Sequence, residues 1–225
     1  MKRLKPWLLP VMSLLTATAL TALRLWQLST AFDSDGVLIS GRPATWALLA
    51  AVAVSALLWA LGSRALASSQ ALSSRRQMLP GLLTLLGALA IVCGSAMSLY
   101  WDLHQREILA LAAACAGIIA ALCLCVSAGA ALQGNSVLAG LHIVPYLFLM
   151  IKLVSDFRSW STDPVVWDYC FRHFALIFSL CGLYQFASFC FRAGKRRLTA
   201  FWAAGAVAFC AASVPGADHP DRLLY

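Results

Sequence analysis

Apolar residues in this chain form long runs separated by short polar connections. Seven runs can be marked, at residues 7–27, 45–62, 78–100, 108–132, 137–157, 168–191 and 198–214. A spanning helix needs roughly 17–25 mainly apolar residues, and each run has a length in that range. None shows the two-residue alternation of a transmembrane barrel, and lipid cannot hydrogen-bond an open backbone. The pattern predicts an all-α polytopic transmembrane helix bundle of about seven spans, with residues 1–225 forming a single integral membrane domain.

The overall composition supports a membrane location. Hydrophobic residues make up 61% of the 225 residues and charged residues only 12%, and the mean hydropathy is +0.80. A soluble domain carries about 25% charged residues, and a globule of this size could not bury so much apolar surface. Soluble, disordered and collagen-like classes are therefore excluded, and the first predicted partner is the lipid bilayer.

Charge is distributed unequally between the two sides of the predicted membrane. Ten cations lie before span one, between spans two and three, and between spans six and seven: Lys2, Arg3, Lys5, Arg64, Arg75, Arg76, Arg192, Lys195, Arg196 and Arg197. All nine carboxylates lie at or near the other side. Short loops rich in Lys and Arg stay cytoplasmic. We therefore predict a cytoplasmic-membrane protein with its N-terminus inside and, with seven spans, its C-terminus outside.

The net charge of +8 does not predict a nucleic-acid partner. A nucleic-acid binder concentrates its cations on one folded face, whereas these are spread over short loops beside lipid. Anionic head groups attract such residues by about 1 kcal/mol each. The basic inner loops are interpreted as a topology signal and, as an alternative, as a docking surface for a protein partner.

Charged residues inside the spans are the best candidates for function, because a charge in lipid is costly and usually functional. Arg24, Lys152 and Arg172 lie in the predicted outer halves of their spans. Lys152 and Asp156 are four residues apart, as are Asp168 and Arg172, so each pair can meet on a helix face. These residues predict an outward-facing site for a small anionic or zwitterionic solute. The alternative is a set of snorkelling cations and local salt bridges.

A histidine in span five is a second candidate. His142 and Tyr146 lie on one stripe of this span, with His142 nearer the cytoplasmic side. An intramembrane histidine can relay protons. No carboxylate lies at a similar depth, so a hydrogen bond between packed helices is the favoured interpretation and a proton relay is the alternative.

Small residues and one proline indicate how the spans pack. Small side chains let helices approach closely in lipid, and they recur in spans three and four at Gly87, Ala90, Gly94, Ser98, Ala113 and Gly117. Pro145 lies deep enough in span five to predict a kink. The eight cysteines fall almost entirely within spans and lack zinc-site spacing. They are predicted to be buried small hydrophobic residues and not a disulfide framework.

Catalytic and cofactor-binding motifs are lacking. The chain contains no Gly-x-Ser-x-Gly, no His-Glu-x-x-His and no phosphate-binding glycine loop. The segment Asp33-Ser34-Asp35-Gly36 begins like a calcium loop but lacks the later ligands, so it predicts a tight turn. No catalytic residue, metal or cofactor is predicted, and a membrane-embedded enzyme is the least favoured function.

Several motifs resemble an uncharacterised family of multi-pass bacterial membrane proteins. They are Trp160-Ser161-Thr162-Asp163-Pro164, Asp168-Tyr169-Cys170-Phe171, Gly194-Lys195-Arg196-Arg197 with Thr199, and Phe32-Asp33 with Gly36. We associate this family with anaerobic Gram-positive bacteria, and it implies no activity. Its pattern continues past the equivalent of Leu223-Leu224-Tyr225 into another apolar segment. The resemblance therefore implies an eighth span in a full-length form, with the C-terminus returned to the inside.

Three functional hypotheses follow from the sequence. The leading one is small-solute transport, or a solute-binding membrane subunit that uses the outer-half cations. It predicts that Arg24, Lys152 and Arg172 converge on one cavity. The second is a non-catalytic scaffold that docks a partner through the basic inner loops or the aromatic outer loop. The third is the membrane-embedded enzyme, which would need an acid–base pair or nucleophile at a shared depth.

Overall fold

The structure is a computed structural model that describes residues 8–33, 37–39, 41–66, 78–105, 108–133, 139–161, 166–190 and 194–215. These residues form seven α-helices: α1 (Leu8–Thr30), α2 (Pro43–Arg64), α3 (Met78–Gln105), α4 (Ile108–Gln133), α5 (Ile143–Trp160), α6 (Val166–Cys190) and α7 (Arg196–Ser213). A 3₁₀ turn at Ala139–His142 precedes α5. The predicted all-α bundle is confirmed, and each predicted span corresponds to one helix.

Within the described residues, six helical stretches are long and apolar enough to cross a membrane. They are Leu8–Thr30, Pro43–Arg64, Gly81–Tyr100, Ile108–Gln133, Gly140–Arg158 and Cys170–Phe189. Helix α7 is outside this set because two of its 18 residues, Arg196 and Arg197, lower its mean hydropathy. The chain is therefore a multi-pass integral membrane protein.

The helices divide into two compact units. Unit 1 contains α1, α2, the first part of α6 and α7. A Cβ on Gly62, near the end of α2, would lie 2.8 Å from Cδ1 of Leu9 near the start of α1. The hydroxyl of Ser13 in α1 donates a 3.2 Å hydrogen bond to the carbonyl of Ala204 in α7. Arg197 at the start of α7 donates a hydrogen bond to the carbonyl of Leu66, just past the end of α2. Helices α1 and α7 therefore both begin at the end of unit 1 where α2 finishes.

Aromatic rings fill the middle of unit 1. Phe178 of α6 lies 6.2 Å from Trp59 of α2 and 5.0 Å from Phe209 of α7, measured between ring centroids. Gly205 of α7 permits this packing, because a Cβ there would collide with the Phe178 ring. Trp59 is fully buried. The large rings therefore join α2, α6 and α7 where small residues leave them room.

Unit 2 contains α3, α4, α5 as far as Arg158, and the last part of α6. Gly81 at the start of α3 packs against Leu132 at the end of α4, so the two helices are antiparallel. In the middle of α4, a Cβ on Gly117 would collide with the Ser95 hydroxyl of α3 and lie 2.9 Å from the Phe148 ring of α5. This close approach confirms the packing role predicted for Gly117.

The packing face predicted for α3 is wrong. Gly87, Ala90 and Gly94 are exposed and Ser98 is only partly buried, and a Cβ on either glycine would meet nothing within 4 Å. Among the described side chains of α3, the buried positions are Gly81, Ala88 and Ser95, spaced by seven residues. Because α3 is apolar on all sides, small residues on two different faces were equally compatible with packing.

The prediction of a kink at Pro145 is also wrong. The predicted span began at residue 137, which placed this proline well inside it. The 3₁₀ turn at Ala139–His142 delays the start of α5 to Ile143, so Pro145 falls in the first helical turn. Proline is tolerated there because the first amide groups of a helix have no intrahelical acceptor.

The described cysteines form no disulfide, as predicted, but they are not buried. Seven are free in the described part of the chain: Cys93, Cys115, Cys123, Cys125, Cys170, Cys181 and Cys210. All of these are exposed or partly exposed, so the prediction that they are buried is wrong. A thiol is a small apolar group, and the surface of a membrane helix is apolar in any case, which permits these residues to face outward.

Candidate functional site

Arg24 is the most deeply buried charged side chain among those described. It lies five residues past the midpoint of α1, about 7–8 Å along the axis at 1.5 Å per residue. Only 1% of its surface is exposed. Its guanidinium carbon lies 5.6 Å from the centre of the Phe32 ring and 5.1 Å from that of Phe171. Cation–π contacts of this kind contribute about 2 kcal/mol each when they are desolvated.

Polar side chains continue from Arg24 to the neighbouring helix. Nη1 of Arg24 donates a 2.5 Å hydrogen bond to Oε1 of Gln27, one turn further along α1. The amide nitrogen of Gln27 donates in turn to Oγ1 of Thr45 in α2, at 3.3 Å. Gln27 is also buried. This chain of bonds fixes the edge of the guanidinium and links α1 to α2 near the end of α1.

The connection after α1 places Phe32 over Arg24. The amide of Asp33 donates to the carbonyl of Val37 at 3.0 Å, and the amide of Ile39 donates to the carbonyl of Ala31 at 2.8 Å. These bonds fold residues 31–33 and 37–39 against each other. The predicted tight turn at residues 33–36 stays a prediction, because residues 34–36 lie outside the described residues.

Arg172 differs from Arg24 in its exposure to the surroundings, although both residues belong to unit 1. It is exposed, whereas the adjacent Phe171 is buried against Arg24. Successive helix residues point about 100° apart, so the two side chains leave α6 in different directions. Asp168, its predicted partner, lies in the first turn of α6, and its side chain is outside those described.

Lys152 and Asp156 form the ion pair that their spacing predicts. Nζ of Lys152 lies 2.7 Å from Oδ1 of Asp156 on α5. The carboxylate is buried, with 5% of the residue exposed, while the lysine is partly exposed. The pair belongs to unit 2, and the convergence of Lys152 with Arg24 and Arg172 stays a prediction.

His142 and Tyr146 lie in an aromatic cluster of unit 2. The His142 ring is edge-on to Phe186 at 5.4 Å, and Tyr146 lies 5.8 Å from Tyr184. His142 is 5% exposed. Within the described part of the chain, its buried Nδ1 atom has no hydrogen-bond partner. Nδ1 therefore does not make the helix-packing hydrogen bond that was the favoured interpretation. The proton relay stays a prediction.

The arrangement around Arg24 is suited to holding an anionic group. A guanidinium presents donors along its edge in a planar fork that matches carboxylate and phosphate oxygens. The centres of two phenylalanine rings lie within 5.6 Å of the Arg24 guanidinium carbon, and the side chain is almost fully buried. Sequence reasoning identified Arg24 but missed Gln27, Thr45 and Phe171. The spacing of three residues between Arg24 and Gln27 was a usable signal, whereas the other two contacts come from separate helices.

Comparison with protein-family models, curated proteins and solved structures gives no match. The family resemblance drawn from the sequence motifs consequently stays a prediction.

Proposed function

We propose that this integral membrane protein binds a small anionic or zwitterionic solute and serves as a transporter or as a solute-binding membrane subunit. The burial of Arg24 between Phe32 and Phe171 carries this proposal. An ionised side chain within a span is expensive to bury, and the usual reason to keep one is a ligand or an ion pathway.

Arg24 is the proposed charge partner of the solute. Its hydrogen bond to Gln27 and the two flanking rings limit its rotation, so little side-chain entropy remains to be lost on binding. A carboxylate or phosphate would meet the edge of the guanidinium, and Phe32 and Phe171 would contact the apolar part of the solute. Lys152 and Asp156 together suit a zwitterion, and their participation with Arg172 and Asp168 remains part of the proposal.

The proposed orientation places the end of α1 outside. Arg64, Arg196 and Arg197 cluster at the opposite end of unit 1, where α1 begins, and the positive-inside rule assigns such an end to the cytoplasm. The Arg24 site would then lie in the outer half of unit 1, consistent with capture of a solute from outside the cell. Labelling in intact cells of a cysteine introduced at Arg42 or at Arg64, in a background whose eight native cysteines are replaced by alanine, tests this orientation. Access at residue 64 and protection at residue 42 would refute it.

Native mass spectrometry of the full chain after mild detergent extraction tests solute binding. We expect the unaltered protein to retain a bound small molecule and Arg24→Gln to lose it. Binding should be weaker in Arg24→Lys, because lysine keeps the charge but lacks the planar guanidinium fork. Arg42→Gln is the matched control, because Arg42 is an exposed cation at the same end of unit 1. Binding that survives in Arg24→Gln, or is lost equally in Arg42→Gln, would contradict the proposal. Thermal unfolding of each variant separates lost binding from lost fold.

A further inference from the structure

Three arginines lie at the end of unit 1 where α1 begins. Nε of Arg197, in the first turn of α7, donates a 3.1 Å hydrogen bond to the carbonyl of Leu66. Leu66 lies two residues after Arg64, the last residue of α2. This bond joins the end of α2 to the start of α7, so Arg64, Arg196 and Arg197 all lie at the same end of unit 1. We call these three residues the arginine cluster.

The arginine cluster has no acidic counterpart on its own helices. Neither α1, α2 nor α7 contains an Asp or a Glu. All three arginines are exposed. The cluster therefore carries positive charge that helices α1, α2 and α7 do not compensate, and one of its guanidinium groups is held in place.

Exposed apolar side chains border the arginine cluster. Leu61 lies three residues before Arg64 on α2, and Leu198 directly follows Arg197 on α7, and both are largely exposed. Free phosphate has no apolar part that could contact these leucine side chains. A phospholipid presents a phosphate and acyl chains side by side, which is the combination that the cluster and its leucines can contact.

We propose that the arginine cluster is a binding site for the phosphate group of an anionic phospholipid. Arg64, Arg196 and Arg197 contact the phosphate oxygens, for which the guanidinium fork has matching geometry, and Leu61 and Leu198 contact the acyl chains. The site would anchor the adjoining ends of α2 and α7 to one leaflet. This inference concerns the opposite end of unit 1 from Arg24 and does not depend on the proposed solute site.

Native mass spectrometry with added phosphatidylglycerol or phosphatidylcholine tests this site on the full chain. The triple variant Arg64→Lys, Arg196→Lys and Arg197→Lys preserves the charges that set membrane topology but removes the guanidinium forks. We expect the unaltered chain to retain phosphatidylglycerol at least ten-fold better than phosphatidylcholine, and the triple variant to lose most of this preference. Arg42→Lys, at the other end of α2, is the control and is expected to retain it.

Three results would overturn the proposal. The first is an equal preference for phosphatidylglycerol in the unaltered chain and the triple variant. The second is displacement of bound phosphatidylglycerol by millimolar inorganic phosphate, which would identify a site for a free anion. The third is the absence of bound lipid together with a co-purified protein that the triple variant loses, which would support partner docking instead. Identical thermal unfolding of the two chains before lipid is added shows that the comparison is between folded proteins.

Discussion

The indole nitrogen of Trp59 donates a 3.1 Å hydrogen bond to Oγ1 of Thr16, joining α2 to α1 inside unit 1. Both residues are buried, and the threonine hydroxyl donates in turn to the carbonyl of Ser13 at 3.0 Å. A buried tryptophan needs an acceptor for its N–H group, and lipid offers none. Thr16 therefore supplies the acceptor that allows Trp59 to be buried in the core of unit 1.

Substitution of Thr16 by valine should destabilise the fold, because it keeps the shape and leaves the indole N–H unsatisfied. We expect a loss of about 1–2 kcal/mol, since an unsatisfied buried donor costs about 1–3 kcal/mol and hydrogen bonds between membrane helices are worth about 0.6 kcal/mol on average. Reversible unfolding in mixed detergent measures this loss of unfolding free energy. In the Trp59→Phe background the same substitution should cost less, because the donor is already absent. Equal costs in both backgrounds would mean that the bond does not contribute.

A methyl group added at Gly117 should disrupt unit 2. Its Cβ would collide with Ser95 and press on the Phe148 ring, so α3, α4 and α5 would have to separate. We expect Gly117→Ala to cost about 1–3 kcal/mol, the usual range for overpacking. Gly94→Ala is the matched control and should be neutral or stabilising by up to about 1 kcal/mol, because its Cβ meets open space and alanine favours helix. Thermal unfolding in detergent that ranked the two variants in the reverse order would refute the assigned packing face of α3.

The contrast between Gly117 and Gly94 shows what sequence reasoning could and could not predict. Span length and hydropathy are local properties, so the helical fold followed from the apolar runs. The rotation of each helix about its axis depends on its neighbours, and α3 gives little polar contrast to fix it. The same limit applies to Arg24, whose burial was signalled by a charge within a span. Its contacts with Phe32 and Phe171 depend on a turn and on a helix far along the chain.

Removal of Lys152 should destabilise α5 more than removal of the whole ion pair. Lys152→Met removes the Lys152 cation from the buried Asp156 carboxylate, whereas Lys152→Met with Asp156→Leu replaces the pair by apolar groups. Breaking a buried pair is costly, and its apolar replacement is often neutral. Because the lysine is partly exposed, we expect the single substitution to cost about 1–2 kcal/mol after solvent screening.

The control for Lys152 is Lys152→Arg, which preserves the charge beside Asp156 and should leave the unfolding temperature nearly unchanged. A double variant no more stable than Lys152→Met would show that the carboxylate has its main stabilising partner elsewhere. If Lys152 also binds the solute, Lys152→Arg should weaken solute retention in native mass spectrometry without changing stability. Unchanged retention in all three variants would restrict the solute site to Arg24.

Replacement of His142 by phenylalanine should leave unit 2 as stable as before or more stable. The edge contact with Phe186 at 5.4 Å needs an aromatic ring, which phenylalanine supplies, and the substitution removes the buried Nδ1 that lacks a partner in the described chain. His142→Ala should cost about 2–4 kcal/mol, because it leaves a cavity among Tyr146, Phe186 and their neighbours. Thermal unfolding of the two variants distinguishes packing from a polar role. If phenylalanine destabilises the protein as much as alanine, then Nδ1 makes a stabilising hydrogen bond. If His142→Phe is more stable than the unaltered protein, then the histidine lowers stability. This result would favour the proton relay that the sequence suggests for His142.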